Sequence, residues 1–251
     1  MKRLLFLFLP LILLSSKCKK DDVIAGSITL NIKTFYDDKP LIINKIYDYK
    51  GKKVRFTKWS FFASNIHGPK ELIPGSFAEG KENLWYNNTL FDFSDLTDSL
   101  VVQKGIAKTI SSSAGSSEKF NIILGVENNK NIRKPKDFPS TDPLSDAGNY
   151  WDAWNSYIFT KLEGLMDKDG DGKFETGITI HTGGNEVLQN LTFTKNVVVN
   201  ISEITTINGD LNLNKLLNGI DLTTVNSTHQ TGDLPTMKLF MGNFKEALTI
   251  K

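Results

Sequence analysis

The clearest chemistry in this chain lies in a run of spaced carboxylates. Asp167, Asp169 and Asp171 stand at alternate positions, Gly172 follows at once, and Lys173 and Glu175 come next. An EF-hand-type loop takes calcium ligands from side chains at its positions one, three and five. It turns sharply at a glycine at six, then uses a backbone carbonyl at seven and a ligand at nine. Those six residues fill these positions in order. Calcium favours a flexible cage of hard oxygens, and short acidic side chains supply one. Three carboxylates this close repel one another unless a cation neutralises them. The loop departs at position twelve, where Ile178 stands in place of a bidentate glutamate. Asp and Gly are also ordinary turn residues, so a solvated turn without metal is the competing reading.

Imidazoles and indoles form a second group. The chain has three histidines, His67, His181 and His229. Imidazole is a good ligand for transition metals, zinc, copper, iron and nickel among them. No two of the three are close in sequence, so a shared site depends on the fold. A lone histidine is more often a hydrogen-bonded structural residue, and His67 sits next to a Gly-Pro turn. Trp151 and Trp154 suit a core, a rim or a stacking platform. Glu163 with the aspartates would make an acid pair of the glycosidase kind, but calcium explains the aspartates better. The chain shows no Ser-His-Asp order, glycine-rich phosphate loop or close metal-histidine motif, which argues against an enzyme.

Positioning these groups falls to strands. Tyr157 to Leu162 is aromatic and β-branched, and Ile178, Ile180 and Thr182 alternate with Thr179 and His181. Strands therefore flank the acidic loop, which sits at the tip of a β-hairpin with the imidazole and indoles near its base. Ile28, Leu30 and Ile32 alternate with polar residues, as do Phe120, Ile122, Leu124 and Val126. Val54 to Ile66 is a longer run holding Trp59, Phe61 and Phe62. Leu191, Phe193, Val197, Val199 and Ile201 continue the pattern across an offset at Lys195-Asn196, which predicts a bulge or turn. Ile106 and Ile110, then Ser111 to Ser117, then Lys119 onward predict two strands joined by a serine-rich hairpin loop. One helix is expected near the C-terminus, capped by Asp233 with Pro235 in its first turn. Met237, Phe240, Met241, Phe244 and Leu248 form its buried stripe. A shorter turn is expected at Pro143 to Ala147. The predicted class is all-β: an antiparallel β-sandwich with long loops and one C-terminal helix.

Residues 1–18 have the form of a secretory leader, with Lys2 and Arg3 ahead of an apolar run from Leu4 to Leu14 that is too short to span a membrane. Cys18 is the single cysteine. It excludes an internal disulfide and is placed to carry the lipid of a bacterial lipoprotein. Residues 19–26, starting Lys-Lys-Asp-Asp, make a charged tether, and 27–251 make one β domain without a dividing linker. The sequence after Cys18 resembles the start of Bacteroidetes lipoproteins, which implies an outer-membrane protein, periplasmic or surface-exposed. A net charge of +2 without a basic stripe argues against a nucleic-acid partner.

Several stretches together resemble a known family. FNIILGVENN at 120–129, DFPSTDPLSDAGNYWDAWNSYIFTKLEG at 137–164 and ITIHTGG at 178–184 are similar to the MbnP-like family, named for a periplasmic protein encoded with methanobactin copper-acquisition genes. FFASNI at 61–66 and STHQ at 227–230, with Gly242-Asn243-Phe244 beyond, extend the likeness. Ser156 stands where the family usually has glycine before the tyrosine. Two residues separate Trp151 and Trp154, where one is common. The resemblance implies copper held by histidines and by a kynurenine made from a tryptophan. It points to His181, His229 and Trp151, and to a tryptophan-oxidising di-haem partner enzyme. The expected function is metal binding at the cell envelope, with a structural calcium loop. A surface module that binds glycans or proteins is the competing class.

Overall fold

The structure is a computed structural model and describes residues 25–67, 88–229 and 231–251. The leader, Cys18, most of the tether and the Gly68-Pro69 turn lie outside the described residues, as does Gln230. In chain order the strands are β1 (Ala25–Tyr36), β2 (Lys39–Pro40), β3 (Ile46–Tyr49), β4 (Lys52–His67), β5 (Asn88–Asp92), β6 (Ile106–Ser113) and β7 (Gly115–Leu124). There follow β8 (Tyr150–Trp151), β9 (Ser156–Asp167), β10 (Thr176–Gly183), β11 (Gln189–Val199), β12 (Ile204–Asn212), β13 (Ser227–Thr228) and β14 (Leu248–Ile250). The α-helices are short: α1 (Ser99–Lys104), α2 (Asn128–Asn131), α3 (Leu213–Leu216), α4 (Leu234–Gly242) and α5 (Phe244–Ala247). β1 includes Ala25 and Gly26, which the sequence reading places in the tether.

Two sheets form a sandwich-like body. The smaller runs β14-β12-β1-β2, with β6 also on β1; the larger runs β11-β7-β4-β9-β10-β13, with β3 and β5 on β4 and β8 on β9. Alternation explains the buried faces. Ile28, Leu30 and Ile32 of β1 point inward, as do Phe120, Ile122 and Leu124 of β7. In β4 the inward residues change parity, from Val54 and Phe56 to Trp59, Phe61 and Ala63. A register shift between Phe56 and Lys58 makes this possible, because one extra residue returns the next side chain to the core. Gly164 faces the bulge, and a Cβ there would lie 2.5 Å from Arg55 O. The offset expected in β11 is present between Thr194 and Val197.

Several expectations are corrected. The sheets are mixed, because β1 pairs β12 in parallel and β10 pairs β13 in parallel. The serine-rich segment is not a hairpin: β6 pairs β1 in one sheet, while β7 pairs β11 and β4 in the other. The chain changes sheets at Ala114, so those serines lie in strands. The C-terminal helix is also shorter than its apolar stripe. Phe244 belongs to α5 and Leu248 opens β14, while Asn243 Nδ2 donates to Leu216 O at 2.9 Å and Asn218 O at 2.8 Å. Asp233 makes no side-chain cap to α4. Two helical turns, Pro143–Ser145 and Ala147–Asn149, fill the region where one was expected. α1 carries a working cap in Asp98, whose Oδ1 accepts from Leu100 N at 2.7 Å.

Candidate metal centre

The hairpin of β9 and β10 carries the acidic loop at its tip and His181 farther down. At its tip, Asp167 is buried and accepts from Gly170 N at 2.7 Å and Gly172 N at 3.0 Å. Gly170 and Gly172 have φ of 86° and 87°, a left-handed backbone that glycine adopts at little cost. Asp169 Oδ1 accepts from Asp171 N at 3.2 Å, and Asp171 Oδ1 accepts from Lys173 N at 2.8 Å. Oxygens of the three aspartates lie within 4.8 Å of one another. Lys173 Nζ lies 2.6 Å from Asp171 Oδ2, which holds that exposed carboxyl below the usual carboxylate range. Glu175 is exposed, and Ile178, at position twelve, is buried in the core.

Farther down the hairpin, His181 stands opposite Lys161 and Thr179 opposite Glu163. Alternation puts His181, Lys161 and Glu163 on one face, while Ile180 and Leu162 face the core. β13 lies parallel to β10, with Ile180 opposite Thr228. The Thr228 hydroxyl accepts from His181 N at 2.9 Å and donates to His181 O at 2.5 Å, which locks the two strands. The next residue, His229, therefore emerges beside His181. Asp233 Oδ2 accepts from His229 N at 2.7 Å, a role different from the expected helix cap.

The two imidazoles stack at 4.8 Å, with His229 Nε2 3.1 Å from His181 Nδ1. His181 Nε2 lies 3.0 Å from Glu163 Oε1. Burial lowers the His181 pKa to about 4, with Glu163 opposing and His229 adding to the shift. Burial also lowers His229, against the pull of Asp233 and Glu163. Both rings are thus neutral near pH 7, the form in which a ring nitrogen offers a lone pair. Two nitrogens each about 2.0 Å from one ion, at an angle near 100°, are about 3.1 Å apart. The observed spacing is that of a hydrogen bond between the two rings, and it also matches that arrangement.

Trp151 completes the group. Its indole meets His229 edge-on at 4.4 Å and stacks on Trp154 at 4.5 Å. Pairing of Trp151 with Ser156 holds this loop to β9. Lys161 Nζ reaches across to Gly148 O at 2.6 Å and Asn149 Oδ1 at 2.7 Å. Burial, with Lys58 adding to it, depresses the Lys161 pKa. Gly183 makes room for Trp154: a Cβ there would lie 2.7 Å from Trp154 Cε3. Ser156 Oγ accepts from Gly184 N at 2.8 Å and lies 3.0 Å from Asn131 Oδ1, which also accepts from Tyr157 N at 2.8 Å. The hydroxyl at 156 thus ties three segments under the Trp loop.

His181, His229 and Trp151 therefore meet, as do Asp167, Asp169 and Asp171. Glu175 is exposed and is not among the carboxylates that gather within 4.8 Å. His67 lies at the end of β4, opposite Asn121, and its side chain lies outside the description. Sequence reasoning missed Glu163 as the partner of His181. The hairpin register would have found it, because residues 163 and 181 are diagonal neighbours once 167 and 176 bound the turn.

A family model, MbnP, matches residues 25–231. A comparison with curated proteins finds no match. Among solved structures the chain is similar to MbnP from Methylosinus trichosporium, with 14% identity, a TM-score of 0.47, and coverage of 79% of this chain and 80% of that one.

Proposed function

The chain belongs to the MbnP family, and from that premise we propose that it binds copper through His181 and His229 at the cell envelope. The family is methanobactin-associated, which suggests a periplasmic, metal-related role. The observation that carries the copper reading is the pair of facing ring nitrogens, 3.1 Å apart, with the Trp151 indole against the second ring. His181 Nδ1 and His229 Nε2 would hold the ion. Trp151 is the residue in place to become a third donor after oxidation to kynurenine by a di-haem partner enzyme. In this reading the protein stores or passes on copper and catalyses no reaction. Cys18 bears the lipid that keeps the domain at the outer membrane. The test is metal analysis of protein from its own host beside a His181→Ala/His229→Ala double variant. Copper should be stoichiometric in the parent and near background in the variant; equal copper in both rejects the assignment. A mass spectrum of the same preparation reads the state of Trp151 and the lipid together.

Calcium in the acidic loop is part of the same reading, supported by the close aspartate oxygens and the buried Asp167. Its role is to fix the hairpin on which His181 stands. An ion that binds only the folded state stabilises it by about 2.7 kcal/mol at a hundred times its dissociation constant. Adding calcium to metal-free protein should raise its melting temperature, and Asp169→Asn/Asp171→Asn should abolish the rise. An unchanged midpoint at millimolar calcium would count against a bound ion.

A further inference from the structure

We propose that Glu163 is a positioning residue for the histidine pair: its carboxylate holds the hydrogen of His181 on Nε2 and leaves the Nδ1 lone pair aimed at His229. This inference rests on the copper reading for its consequence, but not for its geometry. A carboxylate only accepts hydrogen bonds, so the 3.0 Å contact between Glu163 Oε1 and His181 Nε2 places the hydrogen on that nitrogen. In a neutral ring the other nitrogen, Nδ1, is then bare. That atom is the one 3.1 Å from His229 Nε2. A three-membered relay results, in which His229 donates to His181 and His181 donates to Glu163. Only His229 has to change its tautomer for both facing nitrogens to offer lone pairs.

The fold builds Glu163 into this place. The β4 bulge between Phe56 and Lys58 lies beside it, and Gly164 leaves the space the bulge needs. The Glu163 side chain is 36% exposed and that of His181 10%, so the carboxylate stays partly hydrated while the ring is held inside. The neighbouring Lys161 turns to Gly148 O and Asn149 Oδ1 and does not occupy the carboxylate. Carboxylates behind metal-binding histidines fix ring orientation and raise donor strength, and losing one typically costs about 10- to 100-fold in metal affinity.

The test uses 15N-labelled protein stripped of metal, with Glu163→Ala and Glu163→Gln. Nitrogen chemical shifts of the imidazoles near neutral pH report the tautomer without any metal. The parent should show His181 with hydrogen on Nε2. Glu163→Ala should give a mixture of tautomers and copper binding weaker by about 10- to 100-fold. Glu163→Gln keeps an acceptor oxygen, so it should restore the tautomer and most of the affinity. An unchanged His181 tautomer in Glu163→Ala overturns the inference, whatever the copper affinity. Failure of copper to bind the parent would instead sink the functional reading, while the tautomer result still judges Glu163.

Discussion

Replacing Trp59 by alanine is expected to destabilise the fold by about 3–5 kcal/mol. For a chain of this size that is a fall in melting temperature of roughly 10 °C. Trp59 is fully buried on β4 and touches three rings: Phe61 at 5.8 Å, Phe240 at 6.3 Å and Phe244 at 6.4 Å. Two of these belong to α4 and α5, so the indole joins the larger sheet to the C-terminal helices. Truncation would leave a cavity that α4, α5 and the sheet cannot all close on. Trp59→Phe should lose much less, because the indole Nε1 has no hydrogen-bond partner among the described residues. Thermal melts of the two variants check the point; equal losses would mean that volume is not what matters here.

Metal-free protein should lose stability as pH falls from about 6.5 towards about 4, because His181 is held neutral in the fold. Its folded pKa is lowered from 6.5 to about 4, chiefly by burial. Between those values the unfolded chain binds the proton and the folded chain does not, so acid favours unfolding. The contribution is fully present above the unfolded pKa and is lost through that window. The total is about 3 kcal/mol, on the scale of 1.36 kcal/mol per unit. His229 acts in the same direction, since burial lowers its pKa too. Denaturant titrations at pH 7, 5 and 4 would measure the slope. In His181→Gln the slope should flatten by most of that amount; a variant as acid-sensitive as the parent would refute the account.

Alternation made many of the strands legible. Ile28, Leu30 and Ile32, or Phe120, Ile122 and Leu124, each define their own inward face, because side chains in a strand repeat every two residues. Alternation does not say which strand lies alongside. The serines at 111–113 and 116–117 look like two sides of one turn, yet they pair into different sheets. The parallel partners of β1 and β10 were invisible for the same reason. At the candidate centre, the aspartate loop is local and could be read by counting. The meeting of His181 with His229 depends on two residue pairs between β10 and β13 and on one threonine hydroxyl. No spacing rule encodes that, and family likeness alone suggested it. The short helices were missed because four to six residues are too few to show a helical period.

The pairing of β1 with β12 joins residues as far apart as Asn31 and Asn208, 177 positions along the chain. On the other edge of β1, Thr29 meets Thr109 across 80 positions. A polypeptide made from its N-terminus therefore presents Ile28, Leu30 and Ile32 long before their second neighbour has been synthesised. Closing so large a loop costs entropy before any contact forms, which puts assembly among the slow, millisecond-to-second folders. A truncation ahead of β12 would leave the first strand with one bare edge.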